Sequence, residues 1–408
     1  MPEVPEVPEE LEQTGARRFR VGLGEVSGAV ADLGVLVPLA TALILVNGLD
    51  PSAVLLGAGA LLIASGSYFG IPFPVQPLKA LTAVAVAQGL APEVIHAAGF
   101  EIGAFLLLLS IGRVADLLAR LFAKPVVRAL QLGVGVLLVV TAVKLVRDPP
   151  AVFSTTPDAP WPVLLAVAAL AVVVWAASTK RYALAAALVS VGTLAGWLAV
   201  RPHLGAPDPG LPSLALPPAS AFASAFLLLV VPQLPLTFGN AVVAVGDVAR
   251  GAFGERARRV VPWRVCLSCG LGNVGSAQLG GMPMCHGAGG LTAHLRLGAR
   301  TAGMNLLLGG LLVGLGVFFG ARVPAVLGLL PVSVLAAFLA YAGLRHAWLV
   351  ADLRGWQLAV ALVAGAVGAW RSNLALTAAI GLIAVHGAGL ARRLRSRGTA
   401  TEATTASG

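Results

Sequence analysis

The chain has 408 residues, of which 58% are hydrophobic and only 11% charged, and its formal net charge is +10 at pH 7. A soluble protein of this length needs about 25% charged residues to cover its surface, so this composition excludes a water-soluble enzyme or binding module. The basic residues fall between apolar runs and form no single polar domain, which argues against nucleic acid as a partner. We therefore expect an integral membrane protein that lies in the lipid bilayer.

Both ends of the chain are polar. Residues 1–21 are rich in Pro and Glu, and residues 392–408 form a short tail that is too small for another domain. Neither end has the apolar centre of a cleavable signal peptide. The transmembrane domain is therefore predicted to occupy residues 22–391.

Apolar runs between these tails predict an all-α fold with fourteen spans, since a hydrocarbon core about 30 Å thick needs about 20 apolar residues per helix. A Pro-rich connection at 201–218 separates two groups of seven. The first group, in repeat one (22–200), comprises 26–48, 51–69, 76–90, 93–112, 126–147, 160–178 and 181–200. The second group, in repeat two (219–391), comprises 220–249, 263–280, 286–298, 301–320, 324–343, 350–368 and 371–391.

The distribution of basic residues orients these spans. If the N-terminus is cytoplasmic, 22 of the 28 Lys and Arg lie on the cytoplasmic side, five lie outside, and Lys79 lies within the membrane. Cytoplasmic loops carry the excess of positive charge in multi-pass proteins. We therefore expect a multi-pass protein of the cell membrane with both termini in the cytoplasm.

Two stretches interrupt the apolar pattern in a similar way. They are Gly70-Ile-Pro-Phe-Pro-Val-Gln-Pro-Leu-Lys79, here the first break, and Gly281-Met-Pro-Met-Cys-His-Gly-Ala-Gly-Gly290, here the second break. Each begins Gly-x-Pro and leads into a helix containing Leu-Thr-Ala, and each occupies the third place in its group of seven. Because seven is odd, the second group lies inverted relative to the first, as in inverted-repeat transporters.

The breaks favour binding of an anion. Irregular backbone at membrane depth persists only when it is buried in protein or lines a wet cavity. Each half-helix that follows a break presents free N–H groups and the positive end of its dipole to that cavity. Two opposed helix N-termini can hold an oxyanion, although simple kinks between packed helices are the alternative explanation.

Polar groups within membrane spans are costly and are therefore candidates for function. The candidates for substrate binding lie at the two breaks and in the eighth span, and they are Gln76, Pro77, Leu78, Lys79, Gln233, Thr237, Asn240, His286, Gly287 and Gly289. Asp32 and His286 are the candidates for carrying a coupling proton. Structural roles remain open for several of them, because Lys79 can pair with a carboxylate and a lone His is often structural.

The motifs of ATP-driven transport and of enzyme catalysis are missing from the sequence. No Walker motif, nucleophile elbow, HExxH or zinc-ligand spacing occurs. Cys266 and Cys269 form a CxxC inside an apolar span, and with Cys285 they indicate small-residue packing rather than a disulfide framework. We expect a secondary transporter without cofactor or metal.

Several strings resemble the molybdate transporter family, which is related to the sulfate permeases (SulP). They are Pro74-Val-Gln-Pro77, the segment Pro232-Gln-Leu-Pro-Leu-Thr-Phe-Gly-Asn240 with the Ala-Val-Val-Ala that follows it, Gly280-Gly-Met-Pro-Met-Cys-His-Gly-Ala-Gly-Gly290 and Gly298-Ala-Arg-Thr301. The similarity covers about residues 22–391. It implies a SulP/UraA-like 7+7 inverted repeat with a core domain and a scaffold domain, and a substrate held between the third and tenth spans.

The resemblance also has departures. Sulfate permeases usually add a soluble regulatory (STAS) domain, and this sequence ends too soon after residue 391 to include one. They often carry an acidic residue in the eighth span where this sequence has Asn240, which disfavours sodium coupling and favours a proton on Asp32 or His286. A homodimer is a further hypothesis for the assembly.

The leading hypothesis is thus a proton-coupled molybdate transporter. A carrier of sulfate, tungstate or another oxyanion on the same scaffold is the nearest alternative, because tetrahedral dianions of similar size make similar hydrogen-bond demands. A nucleobase carrier is disfavoured because the second break has no carboxylate to read a base edge. An intramembrane enzyme is disfavoured because the sequence shows no catalytic dyad.

Overall fold

The computed structural model describes residues 19–111, 124–149, 162–179, 182–200, 208–214 and 216–387. The predicted tails therefore lie outside the described residues, except for residues 19–21, and the connection at 201–218 is described only in part. Within the described ranges the chain is helical apart from one two-stranded ribbon. This agrees with the all-α class expected from the apolar runs.

The described residues of the first half of the chain form seven helices and one short strand. The helices are α1 (Leu23–Asn47), α2 (Pro51–Phe69), α3 (Lys79–Gln88), α4 (Pro92–Ser110), α5 (Lys124–Arg147), α6 (Pro162–Ser178) and α7 (Tyr182–Val200). The strand β1 (Gln76–Pro77) precedes α3. Pro begins α2 and α4, where its missing N–H has no partner to lose.

The predicted eighth span is a composite helix. It runs through α8 (Ala219–Ala225), a π-helical turn (Phe226–Val230), α9 (Val231–Leu236), a second π-helical turn (Thr237–Ala244) and α10 (Val245–Phe253). The two prolines of α9, Pro232 and Pro235, lack the N–H that the α-helical ladder requires. Widened π turns of this kind are frequent at functional sites.

The remaining elements follow in chain order as α11 (Pro262–Gln278), β2 (Met284–Cys285), α12 (Ala288–Arg296), α13 (Gly303–Phe319), α14 (Val323–Leu327), α15 (Val332–Trp348), α16 (Gly355–Trp370) and α17 (Leu374–Gly387). Three boundaries differ from the sequence prediction. The span expected at 324–343 is divided, because a turn at residues 328–330 follows α14 and Pro331 caps α15, which begins at Val332. The half-helices expected at 76–90 and 286–298 begin later, at Lys79 and Ala288, because each follows a short strand and one or two further non-helical residues.

By length and composition, five helical segments of the described residues could cross a membrane. They are α2 (Pro51–Phe69), α4 (Pro92–Ser110), α5 (Lys124–Arg147), the segment from α8 to α9 (Ala219–Leu236), and α15 with the 3-10 turn that follows it (Val332–Asp352). A sixth is α1 when its two parts, Leu23–Val30 and Val35–Asn47, are taken as one span. Four further apolar helices are shorter, at 10–17 residues. Helix length therefore identifies a multi-span protein, but it does not by itself give the predicted number of fourteen.

The two breaks meet in the middle of the fold. β1 pairs with β2 in antiparallel register, with Gln76 opposite Cys285 and Pro77 opposite Met284. The N–H of Leu78 donates to the carbonyl of Pro283 at 3.0 Å and extends the ribbon by one bond. The half-helices α3 and α12 leave from the ends of this ribbon, with Leu78 and Gly287 as their N-cap residues.

Long helices pack around the ribbon in pairs that join the two halves of the chain. The pairs are α5 with α15, α2 with α13, α4 with α11, α5 with α16, and α6 with α15. The α2–α13 contact depends on glycine, because a Cβ on Gly309 would come within 2.8 Å of the Gly59 carbonyl oxygen and 2.7 Å of an Ile63 side-chain carbon. Close approach of backbones through small residues is a main source of helix association in lipid.

Gly309 and its neighbour Gly310 provide a matched test of this packing. Gly309→Ala should destabilise the protein by about 1–3 kcal/mol, because the added methyl group overpacks the α2–α13 contact. Gly310→Ala should be neutral or slightly stabilising, because its Cβ would meet nothing within 4 Å and Ala is the better helix former. Thermal unfolding in detergent measures both, and equal melting temperatures for the two variants would contradict the close contact.

Candidate functional site

The irregular backbone of the breaks is held by amide side chains from neighbouring helices. Asn305 of α13 accepts from the Phe73 N–H at 2.9 Å and donates to the Phe73 carbonyl at 2.6 Å. Asn273 of α11 does the same for Met284, at 2.7 Å and 2.8 Å. A buried peptide group without such a partner costs about 1–3 kcal/mol. These two asparagines therefore fix the shape of both breaks.

Sequence reasoning did not single out Asn273 or Asn305. A signal for them was present, because each is an amide inside an apolar helix and is fully buried, with 0% of its surface exposed. Polar residues in membrane helices commonly hydrogen-bond to neighbouring segments. The sequence does not reveal which segment such an amide contacts, and here the two amides hold the breaks.

Gln76 and Lys79 lie together at the mouth of the first half-helix. Gln76 is buried, with 3% exposure, and its Oε1 accepts from the Lys79 Nζ at 2.9 Å. Lys79 is half-buried. Its ammonium group thus lies at the N-terminal end of α3, where it adds a full positive charge to the positive end of the helix dipole.

The second half-helix reaches the same place from the other side. A Cβ built on Gly290 would lie 2.7 Å from the Gln76 Nε2, so the first turn of α12 packs against the amide of Gln76. Gly289 is exposed, and a Cβ there would meet nothing within 4 Å. The N–H groups of Ala288, Gly289 and Gly290 have no hydrogen-bond acceptor among the described residues. Gly289 therefore borders open space, beside N–H donors that have no acceptor within the described part of the chain.

Gln233 contacts the first half-helix. Its Oε1 accepts from the N–H groups of Ala80 and Leu81 at 3.0 Å and 3.1 Å. Its Nε2 donates to the Thr237 Oγ1 at 3.1 Å. Gln233 therefore caps the first half-helix from another segment of the chain. The side chains of Gln233 and Thr237 both have hydrogen-bond partners within the protein.

His286 links the two breaks. Its ring is fully buried and its Nδ1 donates to the Pro74 carbonyl at 2.8 Å, because a carbonyl oxygen can only accept. Its Nε2 lies 2.9 Å from the Ser268 Oγ, and the ring centroid lies 4.6 Å from that of Phe73. Both ring nitrogens are thus engaged, and the ring is packed against the first break.

The structure places the remaining candidates as follows. Pro77 lies in β1 opposite Met284, Leu78 donates its N–H to Pro283, and Gly287 caps α12. Asp32 belongs to α1 and Asn240 to the second π-helical turn. The side chains of Asp32 and Asn240 lie outside the described part of the structure. Nine of the ten predicted binding residues therefore have described surroundings, at or beside the two half-helix N-termini.

The three cysteines lie close to the second break. Cys266, Cys269 and Cys285 are all free and buried. The carbonyl of Cys269 accepts from the Asn273 Nδ2 at 2.7 Å, so this part of α11 supports the amide that holds Met284. No group of three or more metal-ligating side chains occurs within the described residues.

Solved structures share the fold. The transmembrane domain of BicA, a bicarbonate transporter of a cyanobacterium, is similar with a TM-score of 0.57 at 19% identity, over 88% of this chain and 96% of that one. The murine anion transporter Slc26a9 in its inward-facing state gives a TM-score of 0.65 at 12% identity, over 94% of this chain and 70% of that one. At these identities the likeness establishes the fold alone, which is that of a helical membrane transporter.

Sequence relatives give the family. Residues 24–138 and 225–345 match the family model described as a molybdate transporter of the MFS superfamily. Molybdate transporter 1 of Arabidopsis thaliana is 31% identical over 82% of this chain and 81% of its own length, and molybdate transporter 2 of the same plant is 31% identical over 93% and 91%. Molybdate transporter 1 of Chlamydomonas reinhardtii is also 31% identical, over 81% of this chain. The chain belongs to the molybdate transporter family.

Proposed function

We propose that the protein carries molybdate across the membrane and binds it where the N-termini of α3 and α12 meet. The observation that carries this proposal is the pairing of the two breaks, which brings both half-helix N-termini to one place. Helix N-termini bind oxyanions through free N–H groups and the helix dipole. The choice of molybdate rests on the relatives, which are molybdate transporters. The geometry alone fits any small tetrahedral oxyanion.

Specific groups are available to the anion. The N–H groups of Ala288, Gly289 and Gly290 have no acceptor among the described residues. Gly289 borders open space, and Gly290 packs against the amide of Gln76. Lys79 supplies the positive charge that offsets a dianion in a region of low dielectric. Gln233 already occupies the donors of Ala80 and Leu81, so α12 offers more free donors than α3 in this state.

The proposed architecture is a 7+7 inverted repeat of fourteen spans, with repeat one at 22–200 and repeat two at 219–391. The helix contacts support it, because they occur in pairs related by exchange of the repeats. The α2–α13 contact corresponds to the α4–α11 contact, and the α6–α15 contact corresponds to the α5–α16 contact. The β1–β2 and α5–α15 contacts each correspond to themselves, as contacts on a two-fold axis do.

Coupling to a proton completes the proposal, with Asp32 as the candidate that remains from the sequence. His286 is less suited, since its two ring nitrogens are engaged with Pro74 and Ser268. The backbone of α1 supports a role for Asp32, because the carbonyl of Gly28, one turn earlier, accepts from His294 Nδ1 of α12 at 2.8 Å. We place the protein in the cell membrane with both termini cytoplasmic, and we retain the homodimer as its proposed assembly.

Substrate choice is tested by uptake of labelled molybdate into proteoliposomes at several pH values, with sulfate and tungstate as competitors. We expect saturable molybdate uptake that tungstate inhibits strongly and sulfate weakly. Uptake of sulfate without saturable uptake of molybdate would favour the alternative, an oxyanion carrier of different selectivity on the same scaffold.

Two substitutions test the site itself. Gln76→Ala should weaken molybdate binding by about three- to tenfold, the loss of one neutral hydrogen bond of about 1 kcal/mol. Lys79→Gln should weaken it by at least about tenfold, because a charge-assisted bond contributes about 1.5–3 kcal/mol. Binding titrations in detergent measure both.

Two control variants accompany these substitutions. Lys79→Arg retains the charge, and Gln357→Ala removes an amide on α16, away from the proposed site. Unchanged affinity in Gln76→Ala and Lys79→Gln would place the site elsewhere.

Gln233→Glu tests whether the first half-helix faces the anion. The new carboxylate would sit on the N–H groups of Ala80 and Leu81 as a tethered anion, and its charge would repel molybdate. We expect a loss of molybdate affinity of more than about tenfold with the fold preserved, since Glu retains the capping oxygen. Wild-type affinity in this variant would show that the α3 N-terminus takes no part in binding.

A further inference from the structure

Glu101 is an acidic residue inside a membrane span that the proposed site does not use. It lies near the midpoint of α4 (Pro92–Ser110), one of the helices long and apolar enough to cross the bilayer. Acidic residues at this depth are rare and usually serve ion or proton pathways. The sequence stretch Phe100-Glu-Ile-Gly103 gives no motif that would mark it.

The carboxyl group of Glu101 has no described hydrogen-bond partner at its shielded oxygen, Oε2. The side chain as a whole is half-buried. On the same helical face, one and two turns later, Ala104 and Leu108 are exposed, Leu108 at 65%. Glu101 thus borders the face of α4 that meets lipid.

Among the described elements, those packed most extensively against α4 provide no counter-charge at this level of the membrane. α4 packs against α11, α8 and the π-helical turn Phe226–Val230, and Phe105 meets Phe238 of the second π-helical turn. Of these elements only α11 has titratable or charged residues, namely Arg264, Cys266 and Cys269. Because α4 and α11 run antiparallel, with Gly99 beside Ala277 and Gly103 beside Gly270, Arg264 lies near the far end of α4. On α4 itself the other titratable groups are Glu93 and His96.

An ionised carboxylate is therefore unfavourable in this position. A charged side chain at the centre of the bilayer is costly, and no described cation offsets that cost. Binding of a proton to the carboxylate removes the charge and leaves a neutral acid. The position is thus suited to a proton that is taken up on one side of the membrane and released on the other.

α4 also contacts the second break directly. The His96 Nε2 lies 3.0 Å from the carbonyl oxygen of Gly280, and a Cβ on Gly99 would lie 3.4 Å from a ring carbon of Pro283. The Pro283 carbonyl in turn accepts from the N–H of Leu78, the cap of the first half-helix. Glu101 follows Gly99 by half a turn, so a shift of α4 that brings Glu101 to water would move the ribbon as well.

From this geometry we propose that Glu101 binds a proton that moves with the anion. A proton from water on one side forms an O–H bond with the carboxylate, the neutral side chain crosses with the moving segment, and the O–H bond breaks as the proton returns to water on the other side. Glu101 acts in addition to Asp32, and the inference rests on the proposed transport of molybdate.

The test uses the full-length protein in proteoliposomes and two assays. One assay measures molybdate accumulation driven by an inward proton gradient, and the other measures exchange of labelled for unlabelled molybdate at equal pH. Glu101→Gln mimics the protonated acid, so it should lose at least about tenfold of gradient-driven accumulation and retain exchange. Glu101→Asp should restore gradient-driven accumulation in part. Glu93→Gln, a variant of an exposed carboxylate on the same helix, should behave as the wild type.

Three outcomes would overturn the inference. In the first, the Glu101→Gln variant accumulates molybdate in response to the proton gradient as the wild type does. This includes the case in which Asp32→Asn abolishes that response and Glu101→Gln does not. Another is wild-type molybdate uptake that ignores the proton gradient. The third applies if the Glu101→Gln protein is inactive in both assays. The affinity for molybdate is then measured in detergent at several pH values. If the affinity of the variant depends on pH as that of the wild type does, Glu101 does not bind the coupled proton. Absence of molybdate uptake by the wild type would instead contradict the proposed function.

Discussion

The antiparallel pairing of two interrupted membrane segments is the constraint on which the rest of this structure depends. Inside a bilayer, backbone N–H and C=O groups that leave a helix must find partners within the protein. Residues 70–79 and 281–290 find them in each other through β1 and β2, and in the buried amides of Asn273 and Asn305. Only because these partners exist can two half-helices begin at membrane depth and direct their free donors toward the proposed anion site.

The same constraint accounts for the differences between Gln76, Gln233 and His286. All three are buried polar side chains near the breaks, and the sequence ranked them alike as candidate ligands. In the structure, Gln233 satisfies the first half-helix and His286 holds the two breaks together, whereas Gln76 lies between Lys79 and the open first turn of α12. The requirement to satisfy buried backbone groups thus accounts for Gln233 and His286, and Gln76, which lies against the first turn of α12, is the better candidate for contact with substrate.

Much of the fold could be predicted from the sequence, because hydropathy and Pro/Gly patterns are local. The apolar runs gave helices whose ends agree with the structure within a few residues in most cases, and the Gly-x-Pro strings located both breaks. The pairing of Gln76 with Cys285 and the clamps by Asn305 and Asn273 could not be predicted, since they join residues that are distant in the chain. For the same reason Glu101 was missed, as its lack of a partner depends on what packs around α4.

The clamp of Asn305 on Phe73 also has a consequence for how the protein is made. The first break enters the membrane long before residue 305 is synthesised, and until then the Phe73 peptide groups and the β1 edge lack their native partners. Contacts between residues so far apart in sequence form late and slowly. During synthesis, these backbone groups of the first half therefore need other hydrogen-bond partners, or shielding by neighbouring helices or by the insertion machinery. The central ribbon and its clamp can therefore be completed only after Met284, Cys285 and Asn305 have been synthesised.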